Sequence, residues 1–310
     1  MAIDLQRFVR QAVVRLTRVF DAIVGRLTVW LLKALRLIDP DLLARFMARV
    51  TRTFGPWLRE HRIGRENLKA AFPDKSPAEI ERILLGVWDN LGRVAGEFAR
   101  LDLLWDYDRT QPDAGRILST PEVDARFDRM RDDGKPALVF AAHLANWEVP
   151  ALAARGGGLD FAVLYRRPNL GAVADAVAEL RDGSMGTMIA GGPDAPFRIA
   201  RALEAGQHVA MLVDQHYGLG VEVIFFGRRC RTNPMLARLA RHIDCPIYGT
   251  RAVRLPNNKL KVDIVGPIDV PRDPDGRVNV AGTMQAITSI VEGWVREHPE
   301  QWLWVHRRWR

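Results

Sequence analysis

His143 and Glu148 stand five residues apart in the run Ala141-Ala-His-Leu-Ala-Asn-Trp-Glu148. Imidazole titrates near neutrality, so a histidine can take a proton from a hydroxyl. A carboxylate five positions on, across a strand-to-helix turn, can reach the far ring nitrogen. There it would hold the tautomer and stabilise the imidazolium formed on proton uptake. No Gly-x-Ser-x-Gly elbow precedes the pair, and no serine or cysteine lies within it. The base then acts on a substrate hydroxyl, which is group transfer between two bound substrates, or on water, which is hydrolysis. A zinc site is the weaker reading, because the spacing does not fit His-Glu-x-x-His and the second histidine is missing. His-x4-Glu alone also fits a helix-capping histidine beside a half-exposed glutamate.

The surrounding pattern says what must position the pair. The apolar run 137–142 predicts a buried strand with His143 directly after it. Further strands are expected at 161–165, 208–213 and 221–226, and a hairpin at 246–253 and 259–266. Helices fit at 146–155, 169–181, 194–205, 233–242 and 278–297. Strands alternating with helices predict an α/β fold: a central mixed, mainly parallel sheet flanked by helices. In such sheets the ligand crevice lies outside the carboxyl ends of the strands. Arg166 and Arg167 follow one strand and Asp214 and Gln215 another, so all four are expected at the edge that carries His143. The arginines suit phosphate or an oxyanion. Asp214 and Gln215 suit a sugar hydroxyl or the orienting of an arginine. Asn146, between the pair, is a candidate for capping the helix and for touching substrate; Trp147 reads as packing.

Upstream, residues 1–38 place Leu5, Val9, Leu16, Phe20, Ile23, Leu27 and Trp30 on one helical stripe. Seven Arg and Lys against Asp4 and Asp21 make the other side basic. This is an amphipathic helix, lying on an anionic bilayer, packing on the protein or crossing the membrane at a tilt as a single anchor whose arginines reach the headgroups, and it is expected to end at Asp39-Pro40. No signal peptide or uninterrupted membrane span is visible. The expected organisation is a membrane-associated helix over 1–40, a helical extension over 41–130 and an α/β core over 131–310. Gly86, Gly92 and Gly96 in the long helical stretch 78–106 allow close approach of another helix or a ligand.

Composition narrows the class. Apolar residues at 48% can fill a core, and charged residues at 26% exclude a many-span membrane protein. Two cysteines, Cys230 and Cys245, cannot build a disulfide scaffold or a four-cysteine metal site. The net charge is +8, mostly arginine. Arg228, Arg229 and Arg231 are expected in a basic loop. In the tail, His306, Arg307, Arg308 and Arg310 interleave with Trp302, Trp304 and Trp309. That combination suits a membrane–water interface or an acidic partner protein. No helix-turn-helix, zinc finger or RNA-binding signature is present, so nucleic acid is not expected.

His143-Leu-Ala-Asn-Trp-Glu148 resembles the His-x4-Glu signature of the glycerolipid acyltransferase superfamily. The form His-x-x-Asn-Trp-Glu is closer still to the late lipid A biosynthesis acyltransferases. GRENLKAAFP at 64–73, YRRPNL at 165–170, VDQH at 213–216, the Phe-Phe-Gly ending at Gly227 and PEQWLWVHRRW at 299–309 are similar to the same family. The likeness spans nearly the whole chain. It departs at Leu144-Ala145, where many members carry Phe-Gly.

The resemblance implies a glycerolipid-acyltransferase-like fold and transfer of an acyl chain from acyl carrier protein to a hydroxyl of a lipid A precursor. His143 would be the base and Glu148 its partner. The work would be done at the cytoplasmic face of the inner membrane, with no metal or other cofactor. Other glycolipid or phospholipid acceptors, an acyl-thioester hydrolase and a non-enzymatic carrier-binding module remain alternatives.

Overall fold

The structure, a computed structural model, describes residues 20–31, 34–167, 181 and 185–309. The first nineteen residues and most of the helix expected at 169–181 lie outside this set. Residues 20–31 are helical, and Phe20, Ile23, Leu27 and Trp30 of the apolar stripe are exposed rather than packed on the core. Asp39 does more than end this segment. Its carboxylate accepts the Leu42 N–H at 2.9 Å and caps helix α1, Pro40–Phe54, whose first residue is a proline.

Helices α2 (Arg59–Ala71) and α3 (Pro77–Phe98) follow. Ser76 and Glu79 form a capping box at the start of α3, again with proline at the first position. Gly92 and Gly96 of α3 lie against the backbone of α1. A Cβ on Gly96 would fall 2.8 Å from Ala44 Cα. These glycines therefore serve helix–helix contact.

Seven strands form the main sheet, in the order β1-β9-β8-β2-β5-β3-β4. They are β1 (Ile117–Leu118), β2 (Leu138–Ala141), β3 (Phe161–Tyr165), β4 (Thr187–Ala190), β5 (His208–Leu212), β8 (Ile247–Arg254) and β9 (Leu260–Val265). All neighbours run parallel except the β8–β9 hairpin. The strands β1 and β4 were not expected; two and four residues long, they carry too little pattern to read. With β1 and helix α4 (Pro121–Asp132), the sheet layer takes in residues from before position 131.

Helices α5 (Val149–Gly156), α6 (Ala195–Glu204), α7 (Met235–Ile243) and α8 (Val280–Glu297) complete the layers. Period-two alternation divides the sheet's faces. On β2, Leu138 and Phe140 join the largest core cluster while Val139 packs with the residues of α4. The expected basic loop is instead strand β7 (Arg228–Thr232), paired antiparallel with β6 (Val221–Phe225). Cys230 and Thr232 point inward and Arg229 and Arg231 outward, while Arg228 at the strand's start is exposed with its guanidinium over Trp309, so the arginines hid a strand whose inner face is small.

The tail also differs from the expectation of an exposed interface. Trp302 is 1% exposed, Trp304 0% and Arg308 1%. The Trp302 and Trp304 rings meet edge to face at 4.6 Å, and Phe225, Phe226 and Trp309 surround them. The guanidinium of Arg308 sits over Phe225 and donates to the Arg231 carbonyl at 2.9 Å. The tryptophans are core, and Arg308 spans the gap between tail and hairpin. Trp304→Ala should therefore cost about 3–5 kcal/mol in denaturant unfolding, whereas Trp57→Ala, at a 78% exposed position, should change stability by less than about 0.5 kcal/mol.

Candidate active site

The chain leaves β2 at Ala141 and turns sharply before α5. Ala145 takes a left-handed φ of 45°, a conformation that favours glycine. The Ala145 N–H donates to the Gln301 carbonyl at 2.9 Å, and its own carbonyl accepts from Asn90 Nδ2 at 3.1 Å. The departure at Leu144-Ala145 thus touches the backbone of the turn as well as its packing. Beneath it lies a buried ion pair. Arg254 grips Glu97 with both guanidinium arms, at 2.6 and 2.8 Å, and Asn146 donates to the same carboxylate at 2.8 Å. Asn146 is fully buried and its oxygen accepts the Glu148 N–H at 3.0 Å. It pins the turn and has no surface to offer a substrate, contrary to the expectation of substrate contact.

This turn holds His143 against Asp214, not against Glu148. Nδ1 of His143 lies 2.8 Å from Asp214 Oδ1, and the His143 backbone N–H donates to Oδ2 at 2.9 Å. The indole N–H of Trp302 donates to Oδ2 at 2.8 Å. Burial by itself would raise the pKa of Asp214. The imidazole beside it, the two hydrogen bonds from His143 and the nearby His306 outweigh burial and hold the carboxyl below the usual carboxylate range. An ionised Asp214 accepts a proton-bearing Nδ1, which leaves the lone pair on Nε2. Near Nε2 lies the side-chain amide nitrogen of Gln215, at 3.5 Å. Trp147 packs edge-on against the ring, with centroids 5.1 Å apart.

Glu148 is also buried, and its carboxylate pairs with Arg181, whose guanidinium lies over Phe98. Glu148 is the residue just before α5 and is taken up by Arg181, so five residues of chain do not bring this carboxylate behind the imidazole. The ring's partner comes from the next strand instead: Ala141 and Leu212 are register partners, and both chains step off the sheet side by side. Asp214 was legible as a strand-end carboxylate; that it faces His143 was not. Trp302 belongs to the family-like stretch 299–309, but nothing in the sequence tied it to Asp214.

His143, Trp147, Glu148, Arg166, Arg181 and Gln215 line one cavity of about 560 Å³. Its remaining wall is mostly apolar, built from the underside of α5, the face of α4 and the sheet residues Val139, Ala141, Val163 and Ala210. Arg166 is exposed at its border; Arg167 is exposed as well but is not part of the wall. His208, unremarked in the sequence, lines the same cavity at the opposite end of β5 from the Asp214 loop. It is buried, and its Nδ1 has no hydrogen-bond partner. Another histidine–glutamate pair, His61–Glu81 at 3.1 Å, lies in the helical layer. Trp88 donates to the other ring nitrogen of His61 at 3.0 Å, and the pair lines neither described cavity. With both nitrogens engaged, that imidazole is built for structure.

Residues 14–310 match the protein family described as bacterial lipid A biosynthesis acyltransferase. The match covers most of the chain, and the chain belongs to that family. No curated protein matches it.

Burial lowers the pKa of His208 and of His306, which makes both rings harder to protonate folded than unfolded. Their contribution to stability is complete above the free imidazole value of about 6.5 and is lost as pH falls through the lowered folded values. The urea midpoint should therefore fall between about pH 7.5 and about pH 5.5, and His208→Phe should lessen the fall. An equal slope in the variant would show that His208 does not contribute.

Proposed function

We propose that this member of the bacterial lipid A biosynthesis acyltransferase family moves a fatty acyl chain from the thioester of acyl carrier protein to a hydroxyl of a lipid A precursor. The observation that carries the reading is the His143–Asp214 pair bordering a large apolar cavity. The cavity suits an acyl chain, and the lone pair of His143 Nε2 suits a hydroxyl at its polar end.

Nε2 takes the hydroxyl proton as the oxygen attacks the thioester carbonyl. Asp214 holds the opposite nitrogen and stabilises the imidazolium. The tetrahedral oxyanion needs donors, and the cations on the cavity wall are Arg166 and Arg181. Glu148 fixes Arg181 and so serves the reaction at one remove. Collapse expels the thiolate of the carrier, which takes the proton back from His143. Arg166 and Arg167 at the open edge suit the phosphates of a lipid A precursor, and Gln215 beside Nε2 suits its sugar hydroxyls.

Among the described residues no helix is long and apolar enough to cross a membrane. The exposed stripe of Phe20, Ile23, Leu27 and Trp30 supports interfacial binding, at the cytoplasmic face of the inner membrane where carrier thioesters are made available. The hydrolase alternative differs only in what Nε2 deprotonates, and the acceptor experiment separates the two.

Purified protein, carrier thioester and lipid A precursor are combined in membrane vesicles and the lipid is followed by mass spectrometry. The expected product is the precursor heavier by one acyl group, formed faster than the thioester is hydrolysed. His143→Ala should lower transfer at least about a hundredfold. Asp214→Asn should lower it about a thousandfold or more by releasing the wrong tautomer, with folding retained in both. Full transfer by His143→Ala would remove the imidazole from the mechanism.

A further inference from the structure

A second cavity, of about 190 Å³, adjoins the first. The two share Phe127, Ala153, Val262 and Ile264 as walls. Inside, the second is faced by Trp105, Ile117 and Val123; its outer side is polar, with Arg109, Ser119 and Asp124. It continues toward the sheet edge formed by β1 and β9, under the end of α5. The apolar space beside His143 is thus divided, and the largest side chain in the dividing wall is Phe127.

The position of that ring is constructed. Phe127 lies on α4, 8% exposed. Gly157, directly after α5, has no side chain where the ring sits: a Cβ there would fall 2.4 Å from the ring edge. Arg131, one turn further along α4, places its guanidinium over the same ring at 5.8 Å and donates to the Gly157 carbonyl at 3.0 Å. Ring, glycine and arginine hold one another across the seam between the two helices.

The dimensions give the divider a meaning. From Leu212 back to His208, β5 rises about 13 Å. That is close to one leaflet, half of a hydrocarbon core of roughly 30 Å. A medium-length saturated chain entering at His143 would fit the first cavity along this line, and a longer one would need more space.

We propose that Phe127 sets the length of acyl chain the protein accepts, by closing off the second cavity. This rests on the acyl-transfer reading above and refines its donor. With the ring shortened, the two cavities join and a longer chain continues between Trp105 and Val262. Each additional methylene so buried favours the longer donor about fourfold.

The test is a competition. Lauroyl, myristoyl and palmitoyl thioesters of acyl carrier protein are offered together with a lipid A precursor to the full chain and to Phe127→Ala and Phe127→Leu. Each protein is first shown to unfold cooperatively in denaturant; the leucine variant keeps most of the buried volume should the alanine variant fail to fold. The ratio of palmitoyl to lauroyl product is insensitive to a general loss of rate. It should rise at least about tenfold in Phe127→Ala and by a smaller factor in Phe127→Leu. An unchanged ratio in the folded variants, with transfer intact in the parent, overturns the role of Phe127 and leaves acyl transfer standing. No lipid product from the parent with any donor overturns the transfer reading, and this one with it.

Discussion

A buried carboxylate must keep its charge, and the site is organised around that constraint. Asp214 lies out of water, where an unpaired anion is unfavourable. Three N–H groups answer it: two from His143 and one from Trp302. They come from the end of one strand and from a tail far along the chain. Because Asp214 stays ionised, the imidazole keeps its proton on Nδ1 and presents a lone pair to the cavity. Remove the anion, and neither the ring's orientation nor its tautomer has a cause.

The layers of the fold serve the same end. Parallel pairing of β2 with β5 brings two strand ends level, so His143 and Asp214 leave the sheet as neighbours. One face of the sheet is filled solidly, by the cluster that includes Phe140, Trp294, Trp302 and Trp304. The other is left incompletely filled under α5 and α4, where the cavity lies. The buried Glu97–Arg254 pair holds the turn between the two. Losing one partner of such a pair leaves an unpaired charge inside the protein, so it fixes a geometry more than it adds stability.

Much of this was legible in the residues. Apolar runs marked β2, β3, β5 and the β8–β9 hairpin within a residue or two, because buried strands need little more than apolar side chains. The place of His143 after such a run pointed to the crevice. What failed was inference from nearness in sequence. Glu148 looked like the imidazole's partner because it lies five positions away, whereas the partner stands 71 positions away. Composition misled in a similar manner. Arg-rich and Trp-rich segments suggest a surface, yet β7 alternates its arginines outward over a small buried face, and the tail turns its tryptophans inward. Short edge strands such as β1 owe their existence to neighbours and carry no pattern of their own.

The His143 amide hydrogen is bonded to Asp214, and Asp214 is bonded in turn to Trp302, 88 positions on. Three separate segments, the end of β2, the end of β5 and the tail, meet at this carboxylate. Exchange of this amide with solvent deuterium therefore reports on how the two strand ends and the tail part from one another, and so on the unit that carries the site.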